Sequence, residues 1–69
     1  MSMYYQYYLE YLFKYSKQDL DSAELSISIS YDVVERVKEE YGTKLDLVDV
    51  MNQVDVWLKE SELNEWEIK

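Results

Sequence analysis

Sixty-nine residues with fifteen Asp and Glu against seven Lys and Arg carry a formal charge of −8, and the chain holds neither cysteine nor histidine. That inventory excludes disulfides, thiolate zinc sites, imidazole-ligated metals and the common serine and cysteine triads. The negative potential also disfavours direct binding to nucleic acid or an anionic membrane, because phosphate binding draws on Lys and Arg that release counterions. A single domain over residues 1–69 is expected, with a core that supplies only about 3–5 kcal/mol. Eight Tyr, two Trp and one Phe point to aromatic packing or self-association as the remaining source of stability, and a homodimer is the expected state. No apolar run reaches the roughly 18 residues of a membrane span, and the first residues lack the basic start and cleavage site of a signal peptide. A cytoplasmic location is the expectation.

In chain order, the first segment is Met3 to Lys17, MYYQYYLEYLFKYSK, and two periods fit it. Met3, Tyr5, Tyr7, Leu9, Tyr11, Phe13 and Tyr15 occupy alternate positions, as in a strand, and Tyr is a good strand former. Gln6, Glu10 and Lys14 form an i, i+4 row, a polar stripe on an otherwise apolar helix. Length favours the helix, since strands usually run about 5 or 6 residues. Ser16 to Ser22 is polar and turn-forming.

From Leu25 to Tyr31, apolar Leu25, Ile27, Ile29 and Tyr31 alternate with Ser26, Ser28 and Ser30, which predicts a strand. Leu20, Ala23, Ile27 and Tyr31 also lie near helical spacing. Against a helix stand β-branched isoleucines, which lose rotamer freedom there, and serines, which bond locally. Asp32 and Glu35 form a capping-box pattern that opens a helix through Val33, Val34, Val37 and Tyr41, and Gly42 ends it. Thr43 to Asp46 connects to a second amphipathic helix. Leu47 begins it, Val50, Met51, Val54, Trp57 and Leu58 form its apolar stripe, and it runs to about Glu62. Asp49, Asn52, Gln53, Lys59 and Glu60 lie opposite, while Val48 and Val56 fall off the stripe. Residues 64–69 are expected to fray.

The fold predicted from these elements is α+β, in the order helix (or strand), strand, helix, helix. A lone strand at 25–31 needs a second chain to satisfy its amides and carbonyls, so the strands are expected to pair across a dimer. A hairpin of two strands followed by two helices, and an all-α chain, are the alternatives.

Catalysis is not expected. The carboxylate pairs Asp19/Asp21 and Asp46/Asp49 would need a cleft that raises one pKa, and so short a chain has little interior for one. The EF-hand pattern is missing, and no cofactor or metal is predicted. The leading expectation is an acidic protein-binding module that occupies the basic site of a nucleic-acid-handling protein. In size, charge and aromatic content it is similar to virus-encoded inhibitors that imitate phosphate spacing. The residues expected to meet the partner are Asp46, Asp49, Asp55, Glu60, Glu62 and Glu65, with Tyr4 and Tyr8 in support.

The order strand, helix, short turn and helix from Leu25 to Glu62 also resembles the ribbon-helix-helix proteins. That resemblance implies a dimer whose paired strands enter a DNA major groove, with Ser26, Ser28 and Ser30 facing the bases. Those side chains are small and uncharged, and the net charge departs from the family's. DNA binding would require a local basic patch from Lys14, Lys17, Arg36, Lys38 or Lys44. A third reading is a structural or assembly subunit glued to its neighbours by the Tyr-rich segment.

Overall fold

In the computed structural model, the backbone of residues 4–68 and the side chains of residues 4–60 are described. Three helices follow one another: α1, Tyr5–Tyr15; α2, Ser22–Tyr41; and α3, Leu47–Ile68. The domain is all-α, with no strand among the described residues. α2 is the middle element and packs against both α1 and α3. Contacts between Tyr15 and Asp32 and between Tyr7 and Glu40 show that α1 runs antiparallel to α2.

The predicted strand at 25–31 is overturned, because these residues form the first half of α2. The helix starts one capping box earlier than expected. Asp21 has extended backbone angles, φ −78° and ψ 173°, and its carboxylate accepts from the Glu24 amide at 2.8 Å. The pattern Asp-x-x-Glu occurs at both 21–24 and 32–35. Only the first occurrence caps a helix; Asp32 lies in mid-helix and accepts a hydrogen bond from Tyr15.

Once a helix begins at Asp21, a period of 3.6 selects Ser26, Ile29, Ser30, Val33 and Val37 as its buried face. Ile27 and Tyr31, which the alternation grouped with Ile29, are turned outward. The serines do bond locally, but within the helix: Ser30 donates to the Ser26 carbonyl at 2.7 Å. Ser26 itself donates to Asp55 of α3 at 2.6 Å. A helix satisfies its amides and carbonyls internally, so the requirement for a second chain disappears with the strand. Cross-subunit strand pairing and the ribbon-helix-helix scaffold go with it.

Asp21 supplies a testable consequence. The Glu24 amide, donating to its carboxylate, holds the Asp21 pKa below its ordinary value. A depressed folded-state pKa contributes stability above the unfolded carboxyl value of about 3.9, and that stability is lost as pH falls through the lower folded value. Asp21→Ala is expected to lower the melting midpoint at neutral pH and to flatten this part of the acid dependence. Circular dichroism melts across the acidic range would show both effects; an unchanged midpoint would mean that the cap does not hold the helix start.

The other boundaries follow local chemistry. Gly42 closes α2 in the left-handed region, φ 68°, with its amide donating to the Lys38 carbonyl at 2.9 Å. A Cβ there would meet nothing within 4 Å, so only the backbone conformation favours glycine. Asp46 accepts from the Val48 amide at 2.9 Å at the start of α3. The ambiguity over Met3 to Lys17 resolves as helix over Tyr5–Tyr15, with Gln6, Glu10 and Lys14 exposed along its polar row, while Met3 lies outside the described residues. α3 continues past the expected end near Glu62 to Ile68. Lys69 and the side chains of Ser61 to Ile68 lie outside the described residues.

The core is made of Tyr8 from α1, Ile29, Val33 and Val37 from α2, and Val50 and Val54 from α3. Small and β-branched residues line the centre, and the aromatic mass sits at one side of it. Tyr4, Tyr5 and Tyr8 surround Trp57, with ring centroids 5.6, 4.9 and 4.8 Å away. This cluster joins α1 to α3 at a spacing and tilt at which aromatic pairs attract.

Candidate functional site

α1 is joined to α2 by a ladder of side chains. Tyr7, Tyr11 and Tyr15, four residues apart on α1, oppose Glu40, Arg36 and Asp32, four residues apart on α2 in the reverse order. Tyr7 donates to Glu40, Tyr15 donates to Asp32, and the Arg36 guanidinium donates to the Tyr11 hydroxyl at 3.4 Å. Arg36 also lies over the Tyr7 ring and pairs with Glu40 at 3.2 Å and Glu10 at 3.7 Å. Part of the Tyr-rich segment is thus engaged within the chain: the hydroxyls of Tyr7, Tyr11 and Tyr15 meet the polar edge of α2, and the rings of Tyr4, Tyr5 and Tyr8 meet Trp57.

Two of these tyrosines resist ionisation. The hydrogen bond to Asp32 pushes the Tyr15 pKa up to about 12, and burial, helped by the neighbouring Tyr5 and Glu60, pushes Tyr8 up to about 12. A raised folded-state pKa contributes stability that is complete below the unfolded tyrosine value of about 10 and is lost as pH rises through the folded value. Asp32→Asn is expected to remove one tyrosine from the late-titrating fraction, read as phenolate absorbance during an alkaline titration. An unchanged titration curve would mean that the Asp32 contact does not hold the Tyr15 proton.

The expected partner-binding residues are not brought together. Asp46 is engaged at the start of α3, and Asp55 accepts from Ser26. Asp49 and Glu60 are exposed on α3. The side chains of Glu62 and Glu65 lie outside the described residues. Tyr4 is half-buried against Trp57, and Tyr8 is only 2% exposed, so Tyr8 is a core residue and presents no surface to a partner.

No group of three Asp and Glu side chains converges among the described residues. A groove of about 260 Å³ lined by Ser22, Ala23, Leu25, Asp55, Leu58 and Lys59 lies between α2 and α3, and its carboxylate is the one that Ser26 already holds. No helix among the described residues is long and apolar enough to cross a membrane.

What the surface does carry is exposed apolar side chains. On α1 these are Tyr5, Leu9 and Phe13; on α2, Ile27, Tyr31 and Tyr41; on α3, Val48 and Val56. The α2 group was hidden from sequence reading by the strand expectation. Its signal was nevertheless present, since Ile27 and Tyr31 are four residues apart and Val34, Lys38 and Tyr41 continue the row. Alongside it run Glu24, Glu35 and Glu39, all exposed. Comparison of the chain with protein-family models, with curated proteins and with solved structures finds no match.

Proposed function

We propose that the protein is an acidic protein-binding module that engages a basic surface of another protein, of the kind a nucleic-acid-handling protein presents. The observation that supports this reading is the placement of charge. Among the described residues Arg36 is the one cation in ion pairs, and both of its partners belong to the interface between α1 and α2 or its edge. Lys14 of α1 lies over the Tyr15 ring, and Lys17, just past the end of α1, lies over the Phe13 ring. Glu24, Glu35 and Glu39 on α2 and Asp49 and Glu60 on α3 are exposed, with no ion pair among the described residues. An excess of uncompensated charge in these places steers a basic partner and repels polyanions.

Two features weigh on the other readings. DNA binding through paired strands has no strand to use, and gluing by the Tyr-rich segment has few free tyrosines, because Tyr7, Tyr8, Tyr11 and Tyr15 face the chain's own helices.

The test is retention of basic proteins on the immobilised chain at low ionic strength. Bound protein should leave in a salt step and be displaced by a duplex oligonucleotide competing for the same basic surface. Retention that neither salt nor the duplex weakens would overturn the reading, as would failure to retain any basic protein.

A further inference from the structure

We infer that the uncovered face of α2, running through Ile27, Tyr31, Val34, Lys38 and Tyr41, is the seat for a basic amphipathic helix of the partner; this rests on the proposed engagement of a basic protein. Three observations converge on it.

The first is spacing. The steps along this row are four, three, four and three residues, the seam by which one helix packs against another in a two-helix coiled coil. From Ile27 to Tyr41 the row extends about 21 Å at 1.5 Å per residue, enough for some four turns of a bound helix.

The second is that, among the described residues, neither α1 nor α3 takes this side of α2. α1 takes the side of α2 that bears Asp32, Arg36 and Glu40, and α3 takes the side that bears Ser26. On the remaining side Ile27 is 42% exposed, Tyr31 55% and Tyr41 61%, while Val34 within the row is half-buried against the core. Tyrosines contribute large contact area for few rotatable bonds, as at recognition surfaces generally.

The third is charge, which selects the occupant. Glu24, Glu35 and Glu39 border the row on the side away from α3, and Lys38 is its one cation. A second copy of this chain laid antiparallel along the row would set that acidic border against itself, and in either direction −8 on each molecule opposes the pairing. A helix with apolar residues at i, i+4 and i+7 and Lys or Arg beside them fits both parts. The other exposed stripe, Tyr5, Leu9 and Phe13 on α1, lacks this border, and Lys17 sits 4.3 Å from the Phe13 ring centroid, so the chain's own cation already caps it.

The probe that tests this is a synthetic leucine–lysine peptide with a heptad of leucines, about 18 residues long so as to span the row. Its partner in the experiment is a scrambled isomer of the same composition, which keeps the charge and loses the apolar face. The amphipathic isomer should bind the full chain about tenfold more tightly than the scramble, with amide shift changes centred on Ile27, Tyr31, Val34 and Tyr41. Tyr31→Glu should erase the difference between the isomers; because Tyr31 is exposed, the variant should keep its helical circular dichroism, which is checked in parallel. Equal binding of both isomers, or shift changes centred on Asp49 and Glu60, would overturn this inference and leave the basic-partner reading standing. No binding of either isomer at low salt would overturn both. Sedimentation of the free chain as a dimer that Tyr31→Glu dissociates would assign the face to a second copy, which also overturns the inference.

Discussion

Tyr8→Ala is expected to abolish cooperative folding. The ring is 2% exposed, belongs to the core cluster and lies 4.8 Å from Trp57 between centroids. Truncating a buried aromatic side chain to alanine costs about 3–5 kcal/mol in transferred surface and residual cavity. A single core in so small a domain supplies about the same amount in total. No neighbour can move in to close the gap cheaply, because Tyr4, Tyr5 and Trp57 are anchored on helices whose separation the Tyr8 ring helps to set. The measurement is a thermal melt followed by circular dichroism, with Trp fluorescence as a second probe. The variant should show no sigmoidal transition and a red-shifted emission. Tyr8→Phe keeps the ring and should still melt cooperatively. A Tyr8→Ala melt within a few degrees of wild type would show that the ring cluster is ornamental to the core.

Ser30→Leu is the second large effect, and it distinguishes a helix from a strand over 25–31. Ser30 is fully buried, one turn along the same face as Ser26, whose hydroxyl reaches Asp55 of α3. Small side chains at these positions let α2 and α3 approach closely, so a leucine overpacks the contact at a cost of about 1–3 kcal/mol. Ser28 is the control. In a strand Ser26, Ser28 and Ser30 would share one outward face and tolerate leucine equally. In α2 only Ser28 lies away from the buried face, and Ser28→Leu should change stability by no more than about 0.5 kcal/mol. Urea denaturation midpoints for the two variants give the answer. Equal and small shifts would contradict the burial of Ser30.

Much of the fold could be read from local chemistry. Gly42 as a stop, Asp46 as a cap and the stripe of Val50, Val54, Trp57 and Leu58 all depend on residues within a few positions of one another. Such signals survive folding because tertiary contacts rarely oppose them. The row of Gln6, Glu10 and Lys14 likewise marked the solvent side of α1 correctly. The error at 25–31 came from a segment in which both periods were satisfied. Three serines between apolar residues read as a two-faced strand because serine was assigned to the solvent side. Two of the three are buried at a helix contact, a use of small polar residues that needs a partner helix and a hydroxyl acceptor to become visible. Asp21 and Glu24 held the deciding local signal, since a capping box ahead of the segment means that a helix is already under way when the alternation begins.

The candidate site was legible only in its charge. The acids were in the sequence, but which were free was not: Asp46 and Asp55 turned out to hold a helix start and a serine hydroxyl, and Tyr8 to fill the core. The exposed row on α2 was obscured because the strand expectation divided it, giving Ile27 and Tyr31 to a strand and Val34 and Tyr41 to the helix after it.

By itself, then, the sequence determined the inventory: the charge, the want of thiols and imidazoles, the start of α3 and the stop at Gly42, because each is a property of one residue or a few adjacent ones. Only the tertiary structure decided the state of residues 25–31, the burial of the serines and tyrosines, and which face of α2 remains open. Those depend on contacts between residues far apart in the chain, such as Ser26 with Asp55 and Tyr15 with Asp32, whose energies outweigh local preference where local preference is divided.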